Sequence, residues 1–154
     1  MVSRKKLKSN ALISVYDKTH LKKLCVSLNK YNIGLISTGA TAKKIISLGF
    51  KCDEISNLTK FREILDGRVK TLNPKIHASL LFKRNNIQQK KTFELLNFPE
   101  IDFVIVNFYP FTKVSREEGD DKKIEMIDIG GPSLIRSASK NFTSVTTICD
   151  KKYY

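Results

Sequence analysis

With 154 residues, 41% of them hydrophobic, the chain is suited to one compact domain that buries roughly two thirds of its unfolded surface, which excludes a disordered polypeptide. No apolar stretch is long enough to cross a bilayer, and the three cysteines, Cys25, Cys52 and Cys149, are too scattered for a disulfide framework or paired metal ligands. The 28 Lys and Arg against 15 Asp and Glu give a net charge of +13, which attracts phosphorylated ligands; with the cations spread along the chain and no nucleic-acid-binding signature, neither nucleic acid nor membrane is the expected partner.

The first ten residues, with Arg4, Lys5, Lys6 and Lys8, read as a basic solvated tail; no apolar run of the signal-peptide kind follows, and the rest, 11–154, reads as one domain in the cytoplasm. A strand over Ala11 to Tyr16 leads into a helix with Leu21, Leu24, Cys25 and Leu28 at helical spacing. Asn32, Ile33 and Gly34 then punctuate before a strand at Leu35 to Ser37, completing a βαβ unit. A helix from about Thr41 to Leu48 turns Ala42, Ile45 and Ile46 inward and stops at Gly49, a left-handed cap.

A short strand near Glu54 to Ser56 comes next, then loops and short turns over 57–76, the sort of irregular stretch that lines a site. A strand is expected at Leu80 to Phe82, then a polar helix over 85–97 with Phe93, Leu95 and Leu96 on its apolar side. Phe103 to Phe108 reads as a buried parallel strand ended by Pro110, and 116–123 as a surface loop or frayed helix. Gly130, Gly131 and Pro132 open a helix that runs to about Asn141, and Ser144 to Cys149 forms the last strand. The alternation predicts an α/β fold: a mainly parallel open sheet with helices on both faces, in three layers.

Chemistry gathers where strands give way to helices, because helix N-termini present free N–H groups at the carboxyl ends of parallel strands. Two such turns are Ser14-Val15-Tyr16-Asp17-Lys18-Thr19 and Ser37-Thr38-Gly39-Ala40-Thr41; their hydroxyls, glycine and lysine fit a phosphate cradle, although the same residues also cap helices. Arg68, Val69, Lys70 and Thr71 concentrate donors in an irregular stretch. Asn107 and Tyr109 stand at the end of the most buried strand. Asp128 precedes Ile129, Gly130 and a helix start, where capping and proton transfer are both open to it; Arg136 and Lys140 lie four apart on that helix. His20 and His77 have no partner at ligand spacing, so no metal is expected.

Six ordered segments carry a resemblance: Ser14 to Thr19, Ser37 to Thr41, Asp66 to Leu72, Asn107 to Phe111, Ile127 to Pro132, and Arg136 through Lys140 and Asn141. Together they resemble the IMP cyclohydrolase domain of the bifunctional purine-biosynthesis proteins, over almost the whole chain after the basic tail. The resemblance implies a methylglyoxal-synthase-like, Rossmann-like fold and ring closure, with loss of water, of 5-formamidoimidazole-4-carboxamide ribonucleotide to IMP without a cofactor. It implies Lys70, Tyr109, Asp128 and Lys140 as the catalytic set. Ser14, Tyr16, Asp17, Lys18, Thr38, Gly39, Ala40, Thr41, Arg68, Val69, Thr71, Asn107, Ile129 and Gly130 become the nucleotide-binding residues.

The same resemblance implies a homodimer and a C-terminal transformylase domain that nothing in this chain matches, so a separate transformylase chain is an expected partner, and the cyclohydrolase unit itself reads as shortened at its C-terminus. The chain departs from the family at Ala40 in the phosphate turn, at Asn73 before Pro74, at His20 where glycine is usual, and at Ala78-Ser79. Two other readings are a non-catalytic module that binds a phosphorylated metabolite and methylglyoxal synthase; the latter lacks its Gly-Gly-Asp turn here.

Overall fold

The computed structural model describes residues 9–109 and 119–154; the basic tail through residue 8, Pro110, Phe111 and the start of the charged 116–123 segment lie outside them. Strand β1 (Asn10–Val15) is followed by α1 (Leu21–Lys30), β2 (Gly34–Ser37), α2 (Gly39–Ser47), β3 (Asp53–Glu54) and α3 (Ile55–Thr59). Then come α4 (Pro74–Leu81), α5 (Ile87–Glu94), β4 (Phe103–Asn107), α6 (Asp120–Glu125), α7 (Gly130–Lys140) and β5 (Thr146–Ile148), with a last 3-10 turn at Lys151–Tyr153.

The strands form one sheet in the order β3-β2-β1-β4-β5, every neighbouring pair parallel. Two cores follow from the alternation of side chains along the strands. Leu12, Ile36, Val104 and Val106 face one way and pack against Ile76, Leu80, Phe93 and Leu134 of α4, α5 and α7. Ala11, Ile13, Val15 and Ile105 face the other way, against Leu21, Leu24 and Leu28 of α1, Ile45 of α2, and Tyr154. Helices therefore cover both faces, as the alternation of elements predicts.

The expected strand at Leu80 to Phe82 is instead the end of α4. Pro74 occupies the first turn, the Asn73 side chain accepts a hydrogen bond from the Lys75 N–H, and Ile76 and Leu80, four apart, are both fully buried. The expected strand at Glu54 to Ser56 shrinks to Asp53–Glu54, and Ile55 already belongs to α3. In α2 the buried residues are Thr41, Ala42 and Ile45, while Ile46 faces solvent; Leu95, beyond the end of α5, is also exposed. Gly49 adopts φ +88°, the left-handed cap read from its position.

Asn141 joins α7 to α4. Buried at the end of α7, its amide donates to the carbonyls of Leu80 at 2.8 Å and Phe82 at 3.0 Å, satisfying acceptors that the end of α4 leaves open. Asn141→Ala is expected to lower stability by about 2 kcal/mol, since the Leu80 carbonyl loses its side-chain donor and the Phe82 carbonyl is left with the longer Arg84 Nη1 contact at 3.4 Å. The shift shows in the denaturant midpoint; an unchanged midpoint contradicts it.

Candidate functional site

Sheet order places the site. After β1 the chain runs outward through β2 and β3, then returns to pair β4 on the opposite side of β1, so the helices diverge between β1 and β4 and leave a crevice at their carboxyl ends. Val15 and Asn107 are register partners at that end. The cavity there has a volume of about 830 Å³ and is walled by the turn after β1, the start of α2, the 66–72 loop, the end of β4 and the 124–131 segment. That is within the roughly 300–1,000 Å³ of small-ligand sites.

Of the expected site residues, Ser14, Tyr16, Lys18, Thr38, Ala40, Thr41, Arg68, Val69, Lys70, Thr71, Asn107, Tyr109, Asp128, Ile129 and Gly130 all line this one cavity. Lys18 and the first turn of α2 converge there. Within α2, the N–H groups of Gly39 and Ala40 have no helical acceptor four residues back, and no side chain caps the helix, so they suit an anion. The Lys18 ammonium has no acidic partner among the described residues and donates to the carbonyls of Val15 and Tyr16 at 3.3 and 3.1 Å.

The loop between Ile64 and Val69, which bridge in antiparallel fashion, carries Leu65 and Asp66 at φ 53° and Gly67 at φ +90°. Two consecutive non-glycine residues in the left-handed region store strain, and the tight reversal they form sets Arg68 and Lys70 on the crevice wall. Glycine suits position 67 because φ +90° is a conformation that side chains rarely adopt; an added Cβ would otherwise press only on the movable Lys70 Nζ, at 3.2 Å. Lys70 Nζ pairs with Glu63 Oε2 at 3.3 Å. At the mouth Arg68 pairs with Glu125 at the end of α6, and the guanidinium holds that carboxyl below its usual range. Tyr109 meets Tyr16 with ring centroids 4.9 Å apart.

Asp128 both caps and lines. Its Oδ1 accepts from the Gly131 N–H at 2.8 Å, which anchors the start of α7 while the residue remains on the cavity wall. Gly130 and Gly131 let that helix end come close: a Cβ at 130 would lie 2.5 Å from Thr71 Oγ1, and one at 131 would lie 2.6 Å from Asp128 Oδ2.

Several expected contacts are already engaged within the protein. Asp17 is not a wall residue. Its N–H donates to Asn107 Oδ1 at 2.9 Å, its carbonyl accepts from Asn107 Nδ2 at 2.8 Å, and its carboxylate takes the Thr19 N–H at 2.8 Å and Lys151 Nζ at 2.6 Å. The Lys151 hydrogen bond, then Thr19, hold the Asp17 carboxyl far below the usual carboxylate range. Asn107 spends its whole amide on this loop and on the Tyr154 hydroxyl, 3.2 Å away. The Thr41 hydroxyl donates to the Val15 carbonyl at 3.0 Å and so ties α2 to β1. Gly39 stands beside the wall; a Cβ built on it would be 4.0 Å from Lys70 Nζ.

Lys140 lies apart from the other expected residues. Ten residues beyond Gly130 on α7, at 1.5 Å per residue, it is roughly 15 Å along the helix from the crevice. It lines a separate hollow of about 520 Å³ with Lys83, Phe142 and Ser144, and Arg136 is likewise no part of the crevice wall. His20, noted for standing where glycine is usual, adopts φ 62° immediately before α1, a conformation that glycine enters without strain. Among the described residues no group of three His, Cys, Asp or Glu is placed to hold a metal ion.

The sequence reading missed Glu63, Glu125, Lys151 and Tyr154. Glu63 reaches Lys70 across the tight reversal of its own loop, whereas the other three act over 47 residues for Asn107 and Tyr154, 57 for Arg68 and Glu125 and 134 for Asp17 and Lys151, distances that no local spacing signals.

An all-parallel sheet with a crevice at its switch point defines an α/β domain of the doubly wound kind, and residues 20–133 match the family model described as MGS-like domain. The chain belongs to the MGS-like domain family. It is 50% identical over 147 residues to the bifunctional purine biosynthesis protein PurH of Lactobacillus acidophilus, covering 94% of this chain and 28% of that protein. The PurH of Elusimicrobium minutum is 43% identical over 157 residues, covering 100% of this chain and 30% of its own length. The chain thus spans less than a third of the relatives it matches. Among solved structures, that of ForH superposes with a TM-score of 0.82 at 27% identity, over 92% of this chain and 72% of that one.

Proposed function

We propose that the crevice is the active site of an IMP cyclohydrolase, which closes 5-formamidoimidazole-4-carboxamide ribonucleotide to IMP. The observation that carries this reading is the convergence of Lys70, Tyr109 and Asp128, from three separate segments, on the cavity that also holds Lys18 and the start of α2. The nucleotide phosphate would sit against Lys18 and the Gly39 and Ala40 N–H groups, with the base toward Tyr109 and Asp128. In the reaction the carboxamide nitrogen attacks the formyl carbon and gives up one proton to the formyl oxygen; the resulting hydroxyl takes a second proton and leaves as water while the former formamido nitrogen loses its proton and forms the ring C=N bond. The protein's part is to hold the two groups together and to donate and accept those protons.

Asp128 and Tyr109 form the proton relay in this scheme, and Lys70 stabilises the developing oxyanion. Lys140 has no place in it within one protomer. The test is to incubate the purified protein with the formylated nucleotide and follow IMP; absence of product while the nucleotide still binds sinks the catalytic reading. The position of Lys140 outside the crevice favours a second reading, a non-catalytic module that binds a phosphorylated metabolite, and the same assay separates the two.

The same proposal places the protein in the cytoplasm as a homodimer, with a transformylase as the source of its substrate. Exposed Ile124, Ile127 and Ile129 beside the crevice offer apolar surface for a second copy. No helix among the described residues is long and apolar enough to cross a membrane.

Lys18→Ala is expected to weaken IMP binding by about 2 kcal/mol, the loss of a charge-assisted hydrogen bond to phosphate, without unfolding the domain. Calorimetry giving equal affinity for variant and parent would remove Lys18 from the cradle.

A further inference from the structure

The turn after β1 has little regular structure of its own. It leaves the sheet at Val15, passes through Asp17 and Lys18, and enters α1 only after His20 in the left-handed region. What holds it is the last segment of the chain. Lys151 grips the Asp17 carboxylate at 2.6 Å, while the Tyr154 hydroxyl accepts from Asn107 Nδ2, the atom that also donates to the Asp17 carbonyl. Tyr154 is 8% exposed, its ring packed in the core cluster beneath α1 and α2, so the hydroxyl reaches the crevice floor from a fixed base. Its partner fixes the sense of the Asn107 amide: Oδ1 must face the Asp17 N–H and Nδ2 must face the Asp17 carbonyl and the phenol.

We propose that the segment 150–154 is a brace for the anion-binding turn, with Tyr154 and Lys151 as positioning residues that hold Lys18 where a ligand's phosphate meets it. The proposal rests on the reading of the crevice as a nucleotide phosphate site. Asp150 completes the device, its side chain accepting from the Lys152 N–H at 2.9 Å to start the 3-10 turn that presents Lys151 and Tyr154. The brace acts through the protein and touches no ligand, so its effect is confined to the part of the ligand that Lys18 contacts.

The probes are inosine 5′-monophosphate and inosine, which differ only in the phosphate. Tyr154→Phe keeps the buried ring and removes one hydrogen bond, and Lys151→Met removes the ion pair. Each variant is expected to bind the monophosphate about fivefold more weakly, as the loss of one modest polar interaction implies, while its inosine affinity is unchanged. Lys151→Arg restores the parent value. Equal weakening of both probes, or no weakening of the monophosphate, overturns the proposal.

A second measurement needs no ligand. Backbone order parameters of Asp17, Lys18 and Thr19 are expected to fall from the rigid range near 0.85 toward 0.6 in Tyr154→Phe, with the remainder of β1 unchanged. Unaltered values overturn the brace. If the parent itself fails to bind the monophosphate, the phosphate reading of the crevice fails, and the order parameters still decide whether 150–154 holds the turn.

Discussion

Tyr109→Phe is expected to lower turnover of the formylated nucleotide by about 100- to 10,000-fold, the usual worth of a positioned proton donor or acceptor, and Lys70→Ala by about 100- to 1,000-fold, the worth of an oxyanion stabiliser, while the affinity for IMP changes little. Both residues line the cavity, and the Tyr109 ring rests against Tyr16, so removing the hydroxyl alone leaves that contact in place. Interactions made only as charge develops in the ring closure affect kcat and leave ground-state binding almost untouched. Single-turnover kinetics with parallel calorimetry reads the two quantities separately. Equal loss of binding and turnover would instead mark both residues as ligand contacts of a binding module.

Gly131→Ala is the second large effect. A methyl there would lie 2.6 Å from Asp128 Oδ2 and 3.0 Å from Val106 Cγ1, so either α7 must withdraw from β4 or the carboxylate must leave its cap on the Gly131 N–H. Overpacking of this kind costs about 1–3 kcal/mol. The denaturant midpoint falls accordingly, and turnover falls with it because Asp128 is displaced. Gly119→Ala, at the N-cap of α6 with no described residue within 4 Å of the added methyl, serves as the control and is expected to cost less, at most about 1 kcal/mol for the poorer cap, with turnover unchanged. A Gly131→Ala protein as stable as the parent would show that the crevice wall is softer than its packing indicates.

Much of the architecture is legible in the sequence because its signals are local. The βαβ unit from Asn10 to Ser37 announces itself through helical spacing in α1 and the Gly34 punctuation, and the Phe103–Asn107 strand through an unbroken apolar run. Leu80, Leu81 and Phe82 defeat the same logic: three apolar residues in a row suit either a strand or a helix end, and the deciding partners, Ile76 and the Asn141 amide, lie outside the run. The site divides in the same way. Strand ends and helix starts bring most expected residues to one crevice, but whether a polar group faces a ligand or is already hydrogen-bonded depends on distant neighbours. Asp17, Asn107 and Thr41 turn out to be fasteners for that reason, and Lys140 lies far from the crevice because ten residues of helix separate it from Gly130.

The strand order bears on how the molecule assembles. β1 pairs with β2 a short distance along the chain, whereas its other edge waits for β4, about ninety residues later, and the crevice lies along that second seam. Contacts between neighbouring segments close small loops and form early; the β1–β4 seam must close a large one. During refolding the β1-α1-β2 unit should therefore gain protection before the ligand site exists. Binding competence should appear as a late kinetic phase, together with the docking of Tyr154 against Asn107.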